Sequence, residues 1–407
     1  MHIGIAGAGL LGRLLAWQAC QAGHRVSVFD PAADAQPRFD GQGAAGFSAA
    51  GMLSPLAELD GASTQVARWG LRSLALWPGI VANLPQAPFF AQRGSLLVAH
   101  RSDLSAAQRV LSRLAQAPAD MPRAEVLSAP ALRALEPALH GVAHAWLLPG
   151  EGQIDPIGTL RALHAQSLAG GVVWHWNSSV RRVAPGRLWV NDATTPERFD
   201  GVFDVRGLGA RALASGEAPL LSAMEAEQTP TAPLRGVRGE TAWLHAPGHG
   251  LTRPVRLLHP RLRVYVVPRP NDTVVVGASE IESEDRGAVS LRSAVELMSA
   301  AYSILPALAE ARIVQLDANL RPAYPDNEPQ VHTEPGLVRI NGLFRHGWLL
   351  APALIERALA EAGWSGLAGV PVAQTMVSSS EAVSATAALA ASAALPSFSP
   401  SEQVLSP

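Results

Sequence analysis

Lysine is absent from this chain: all 32 basic residues are arginine. Schiff-base chemistry on a lysine amine, including lysine-bound pyridoxal phosphate, is therefore excluded. Beside abundant alanine, glycine and proline, an all-arginine base content reads as the codon bias of a GC-rich genome, not as a functional signal. Cysteine is nearly as scarce. Cys20 is the only one, so no disulfide and no thiolate metal cluster can form within the chain, and no metal site is expected. Its neighbours Ala16, Trp17 and Ala19 make it read as a buried, inert thiol. Charge is balanced, with 32 basic against 34 acidic residues and a formal net charge of −2, and no basic stripe points to a nucleic-acid partner. No apolar run reaches membrane length. The N-terminus lacks the charged start, apolar core and small-residue cleavage site of a signal peptide, so a cytoplasmic location is expected.

What the chain has is a dinucleotide-binding pattern in its first thirty residues. The apolar strand through Ile3 and Ile5 runs into Gly7-Ala-Gly9-Leu10-Leu11-Gly12. A helix is expected over Arg13 to Ala22, then a second strand, Arg25 to Phe29, ending on Asp30. Gly7 permits the tight turn, Gly9 lets a pyrophosphate approach the backbone, and Gly12 lets the helix lie close to the strand. The helix N-terminus offers free N–H groups to phosphates. Asp30, about twenty residues on, is placed to accept hydrogen bonds from ribose hydroxyls. Strand, glycine turn, helix, strand and acid in this order make the pattern specific, but NAD(P) and FAD share it.

At 407 residues the chain is long enough for two domains. A small-residue stretch, Phe47 to Pro55, precedes a helix expected over Ser63 to Trp77. Gly94 to Ala99 and His144 to Leu148 read as strands, and Asp103 to Ala117 as a helix. Gly150 to Pro156 reads as a turn, with Glu151 and Asp155 as turn and cap residues, leading into a helix from Ile157 to Leu168. Strands are expected at Val172 to Trp176, Arg187 to Val190 and Gly201 to Val205. The stretch from Gly236 to Ala278 is mainly β, with strands at Leu262 to Val267 and Thr273 to Val276 joined by an Asn271-Asp272 hairpin turn. Leu291 to Leu305 and Leu349 to Ala362 read as helices, with a short strand at Val338 to Asn341 between them. The end of the chain is rich in Ser, Ala, Thr and Pro, and a disordered tail is expected over 378–407.

Several separated segments resemble the FAD-dependent D-amino-acid oxidase family, and within it the glycine oxidases of thiamine biosynthesis. They are Ala49 to Leu53, Gly150 to Pro156, Val264 to Arg269, Val276 to Glu280, Leu320 to Pro322 with Pro325-Asp326, and Phe344 to Pro352. They stand in the family's order, and the resemblance runs from residue 1 to about 362. It turns the choice of nucleotide toward FAD. It implies an α/β fold in which a Rossmann-like, glutathione-reductase-like FAD-binding domain (1–88, 141–220 and 318–370) joins an α+β antiparallel-sheet substrate domain (89–140 and 234–317), with 221–233 as a connection.

The resemblance also implies the site. Gly7, Gly9, Leu10, Leu11, Gly12 and Asp30 would hold the ADP half of FAD. Val180 would meet the adenine end through its backbone, and Gly207 and Gly209 form a second glycine-rich turn near the dinucleotide. Ala49, Ala50, Gly51 and Met52 would run beside the isoalloxazine ring. His346, Gly347, Trp348 and Leu349 would bring a helix N-terminus to its pyrimidine edge. Arg321 and Tyr265 match the pair that holds the substrate carboxylate, a task suited to a planar, always charged guanidinium. Arg345 resembles a second active-site arginine, and Glu280 is a neighbour of the pocket. Tyr265 also reads as an ordinary strand aromatic, and His346 as a satisfied histidine and not a base.

The implied reaction is oxidative deamination of glycine or another small amino acid by hydride transfer to flavin N5. Dioxygen would be reduced to hydrogen peroxide, and the imine would be available for thiazole synthesis. No cysteine lies near the C-terminal flavin segment, so the FAD is expected to be non-covalent. Asp30 stands where the family often has Glu, and Gly342-Leu343 where it often has Gly-His. Expected partners are a small amino-acid substrate and O2, with a homo-oligomer left open and neither nucleic acid nor membrane involved. Alternatives within the fold are a D-amino-acid dehydrogenase and a sarcosine-type oxidase; a non-catalytic flavin-binding protein lies further off.

Overall fold

The computed structural model describes residues 1–211, 233–261 and 263–367. The expected tail lies outside them, as do Leu262 and all of the expected connection except Pro233. The N-terminal strand His2–Ala6 is fully apolar from Ile3 to Ala6 except for Gly4, as a strand covered on both faces requires. It forms the centre of a parallel sheet. Arg25–Phe29 and then Val173–His175 lie on one side of it, Gly201–Asp204 and then Leu337–Asn341 on the other, and Gln330–Glu334 adds an antiparallel edge.

The first helix spans Leu10–Gln21, three residues earlier than expected at its start. The cause is local. Gly9 adopts an extended conformation and serves as N-cap, with Arg13 N–H already donating to its carbonyl at 3.0 Å. Gly12 is thus a helical residue and not part of the turn. A Cβ on it would lie 1.8 Å from the carbonyl oxygen of Gly7, so only glycine allows this helix to sit so close to the strand end.

The second large sheet has eight strands in the order Arg312–Ala323, Arg235–His245, Thr273–Gly277, Arg263–Arg269, Val255–Leu258, Ser95–Ala99, His144–Leu148 and Glu125–Leu127. All pair antiparallel except Val255–Leu258 with Ser95–Ala99. The Asn271-Asp272 turn is a hairpin with both residues at positive φ, +59° and +53°, which suits the strand twist. Helix Leu291–Ile304 covers one face, packing Leu297, Ala301 and Ile304 into a core with Ala242, Val264, Val266 and Val276. His144–Leu148 pairs within this sheet although it lies inside the segment 141–220 expected in the FAD-binding domain, and Arg312–Ala323 crosses the expected boundary at 318.

Two of the departures from expectation bear on the site. The Gly150 to Pro156 stretch holds a strand, Gly152–Ile154, that pairs with Met52–Leu53 on one side and Phe90–Ala91 on the other. Tertiary pairing supplies both ladders that the Gly-Gln pattern does not announce. The long strand Arg312–Ala323 exposes Ile313, Val314 and Leu316 in its first half and buries Asp317 and Asn319 beside Ala318 and Leu320 in its second, a pattern that hides it from hydrophobic periodicity. Its second half brings Asn319, Leu320, Arg321 and Pro322 to the site.

Candidate active site

One cavity of about 920 Å3 runs from the glycine turn to the polar face of the large sheet. Every residue named above for cofactor or substrate lines it except Gly12, which lies beneath the turn. The volume stands near the upper end of small-molecule sites, ~300–1,000 Å3, as a dinucleotide with a small co-substrate would need.

At the nucleotide end Gly7 sits at φ +107° and donates its N–H to Phe29 O at 2.8 Å, turning the chain out of the strand. A Cβ on Gly9 would meet nothing closer than Ala44 Cβ at 3.7 Å, so the backbone there is open to the cavity. Among the described residues no side chain caps the first turn of the helix, which leaves its N–H groups to a ligand. Asp30 accepts N–H groups of Ala8 at 2.6 Å and Ala32 at 2.9 Å. Each oxygen keeps a second lone pair for a hydroxyl. Val180 is buried and its carbonyl accepts from Arg206 Nη1 at 2.6 Å. Gly207–Ala210 forms one helical turn, tied down by Asn341 Nδ2 donating to Gly207 O at 3.0 Å. Arg13, not singled out in the sequence, is 2% exposed and donates to the carbonyls of Ala8, Leu160 and Ala35 at 2.8–3.0 Å. Burial pushes its guanidinium down to about 10, against the pull of Asp30.

Cys20 is half-buried, less enclosed than expected. Its Sγ donates to Gly170 O at 3.1 Å, and burial raises the thiol.

At the other end Arg321 projects from the strand Arg312–Ala323 and donates from Nη1 to Arg238 O at 3.3 Å and from Nη2 to Ser279 O at 3.1 Å. It has no carboxylate partner among the described residues. Burial lowers its pKa; Tyr265 and Glu280 pull it upward. Both members of the Arg321/Tyr265 pair rest in notches left by glycines. A Cβ on Gly239 would fall 2.2 Å from Arg321 Nη2, and one on Gly277 2.7 Å from the Tyr265 hydroxyl oxygen. Burial pushes the Tyr265 phenol up.

Glu58 organises the remaining charges. Its carboxylate is 6% exposed, at the end of the four-residue helix Pro55–Glu58. Oε1 accepts from Arg256 Nη2 at 2.6 Å, while Oε2 accepts from Arg345 Nε and pairs with His346 Nε2, both at 2.9 Å. Burial alone would raise this carboxyl, but Arg256, Arg345 and His346 outweigh it and hold it well below the usual range. Arg345 continues the chain of charges by donating from Nη1 to Glu280 Oε2 at 2.8 Å. Burial would lower Arg345, but Glu58 and Glu280 keep it above its ordinary value. The turn that sets Arg345 and His346 side by side contains Phe344 at φ +49°, a left-handed backbone for an aromatic residue.

Asp155 caps the helix Pro156–Ala169, accepting from Ile157 and Gly158 N–H. Glu151 is fully buried and caps a different helix from a distance. Its Oε1 accepts from Leu56 N–H at 2.8 Å and Ala57 N–H at 3.2 Å, at the head of the helix that carries Glu58. Burial pushes Glu151 up to about 7.

Three guanidiniums, Arg256, Arg321 and Arg345, thus face two carboxylates, Glu58 and Glu280, leaving one unmatched positive charge on Arg321. A guanidinium left without a carboxylate suits a carboxylate ligand. Glu58 and Arg256 were not singled out from sequence, yet Glu58 had a signal: it is the only charged residue between Asp40 and Asp60. A lone acid in a run of small and apolar residues must be buried with a partner or turned to solvent.

The sequence model described as FAD dependent oxidoreductase (DAO) matches residues 2–362. The chain is 36% identical over 368 residues to a Rhizobium etli protein described as a candidate thiamine biosynthesis oxidoreductase, ThiO, covering 89% of this chain and 98% of that one. It is 25% identical to a glycine oxidase of Geobacillus kaustophilus, covering 86% and 89% of the two chains. A crystal structure of glycine oxidase from that organism superposes with a TM-score of 0.72 at 22% identity, covering 88% of this chain and 93% of that one.

Proposed function

Because this chain belongs to the D-amino-acid oxidase family of FAD-dependent oxidoreductases, we propose that it oxidises glycine or a similarly small amino acid at its C–N bond. The products would be the imine or the oxo acid with ammonia, and hydrogen peroxide from dioxygen. The observation that carries this reading is the Arg321 guanidinium, unmatched in charge, held by two backbone carbonyls beside Tyr265 at the end of a dinucleotide-sized cavity. The 36% identity to a candidate thiamine biosynthesis oxidoreductase supports a role for the imine in thiazole assembly.

The residues present fit FAD. The open backbone at Gly9, the uncapped helix behind it and Asp30 would hold the ADP half. Ala49 to Met52 and the first turn of helix Gly347–Glu361 would line the ring. When bound, FAD would supply the two-electron redox chemistry. The chain itself supplies position and charge. Arg321 binds the carboxylate as a planar fork, and the Tyr265 hydroxyl donates a second hydrogen bond to it. Glu58 fixes Arg345 and Arg256 in place, and Glu58 and Glu280 together offset their two charges, which leaves Arg321 as the cation for the substrate carboxylate. No side chain is needed as a strong base, because most of the rate comes from holding substrate and cofactor in register.

The test is to purify the protein, look for bound FAD by its visible absorbance, and follow peroxide with glycine, sarcosine and D-alanine. The Arg321→Ala variant should raise the glycine KM by about 10–100-fold, the worth of a charge-assisted contact. A protein that stays colourless with added FAD would refute the reading. Bound FAD that reduces a dye but yields no peroxide would make the protein a dehydrogenase.

A further inference from the structure

Glu58 and Glu280 differ in what they leave free. Both oxygens of Glu58 are engaged, one by Arg256 and the other by Arg345 and His346. Glu280 gives only Oε2 to Arg345; its Oε1 has no hydrogen-bond partner among the described residues. Its side chain is 44% exposed and borders the cavity.

The backbone carrying Glu280 is fixed on both sides. Ser279 N–H donates to Glu240 O at 3.2 Å, and Ser279 Oγ accepts from Glu240 N–H and donates to Glu240 Oε2. Ile281 exchanges two backbone hydrogen bonds with Arg238, at 2.9 and 3.0 Å. The carbonyls of Ser279 and Arg238 are also the two acceptors of the Arg321 guanidinium. The carboxylate-binding cation and the half-free carboxylate are therefore set on one rigid piece of sheet. In an α-amino acid the amine is one carbon away from the carboxylate, so a substrate held by Arg321 carries its nitrogen into the neighbourhood of that piece.

Resting on the function proposed above, we propose that Glu280 is the amine-recognition residue, its free Oε1 accepting an N–H of the substrate's amino group while Arg321 and Tyr265 hold the carboxylate. The site then reads both ends of an α-amino acid. It selects against carboxylates that have nothing to donate, and Arg345, bonded to Glu58 and Glu280, keeps the Glu280 side chain aimed.

The experiment compares the FAD-loaded wild type with Glu280→Gln and Glu280→Leu, using glycine and acetate as probes. Acetate has a carboxylate but no amine, and its Kd is read from the perturbation of the flavin absorbance. The glycine KM should rise about 10-fold in Glu280→Gln and about 100-fold in Glu280→Leu, the range of a hydrogen bond to a charged group. The acetate Kd should stay within about twofold or tighten, since a nearby negative charge is gone. Glutamine at this half-exposed position asks little of the fold, so the result stands even if the leucine variant is unstable. An unchanged glycine KM with intact acetate binding would overturn the role of Glu280 and leave the oxidase reading in place. Parallel weakening of glycine and acetate would also overturn it, making Glu280 a mere support for Arg345. A wild type that neither binds acetate nor turns over glycine would overturn the oxidase reading, and this proposal with it.

Discussion

Replacing Gly239 by alanine adds one methyl group to the strand behind Arg321. That methyl would sit 2.2 Å from Nη2, 2.4 Å from Cζ and 2.6 Å from Nη1 of the guanidinium. Ordinary contact between heavy atoms begins near ~3.5 Å, so the guanidinium must retreat by about 1.3 Å. It is the far end of a flexible side chain, and the Gly239 backbone is not in the left-handed region, so the fold itself accommodates the change. Lower entropy of the unfolded chain would even favour alanine by roughly 0.4–1 kcal/mol. Binding is different. The hydrogen bonds from Arg321 to Arg238 O and Ser279 O are lost or bent, and a misplacement near 1 Å costs up to ~100-fold in a positioned reaction. We therefore expect Gly239→Ala to melt at or slightly above the wild-type temperature while its kcat/KM for glycine falls about 10–100-fold. Calorimetry and a peroxide assay on the same preparation read both quantities. The double variant Gly239→Ala/Arg321→Ala should lose little more than Arg321→Ala alone, because both act through one guanidinium. An unchanged kcat/KM would refute the notch as a positioning device. A melting point many degrees lower would show that Gly239 serves packing instead.

Two further outcomes concern buried acids. Glu58→Gln leaves Arg256 and Arg345 without their shared carboxylate, and breaking such a buried network should cost about 3–5 kcal/mol in urea unfolding; a loss below 1 kcal/mol would mean that water already screens the cluster. Glu151 works in the opposite sense. Its carboxyl is raised from 4.5 to about 7 in the folded chain, so its contribution to stability is fully present below pH 4.5 and is lost as pH rises through 7. The drop is at most about 3 kcal/mol, and Glu151→Gln should flatten unfolding free energy against pH across that window. A slope identical in the variant would place the Glu151 proton elsewhere.

Local patterns carried much of the nucleotide end. Gly7, Gly9, Gly12 and Asp30 all fall within the first thirty residues, in one strand–helix–strand unit whose turns and caps have local chemistry. The helix start moved to Leu10 only because a glycine N-cap is indistinguishable by composition from a glycine in the turn. The substrate end is different in kind. Arg321, Tyr265 and Arg345 were reached through resemblance, since nothing in their spacing tells which arginine of 32 basic residues faces a cavity. Glu58 and Arg256 lie 198 residues apart and meet only when the large sheet is assembled. Gly239 and Gly277 matter for what they leave empty, and empty space has no sequence periodicity. The strand Arg312–Ala323 stayed hidden because its first half exposes Ile313, Val314 and Leu316 while its second half buries Asp317 and Asn319 beside Ala318 and Leu320, so no period-2 pattern runs through it.

The left-handed backbone at Phe344 limits how this cavity can diversify. An L-residue with a full side chain pays about 1–2 kcal/mol there, which glycine avoids and asparagine or aspartate reduce, while β-branched side chains fare worst. Phe344 is also 8% exposed and packs with Val237 and Ala323, so a small polar replacement would leave a gap. Few residues satisfy both demands, so the wall beside Arg345 tolerates little substitution at this position. Variation in the shape of the substrate is then more easily absorbed at exposed positions such as Arg109, Arg113 and Arg263, which border the same cavity and carry no left-handed backbone.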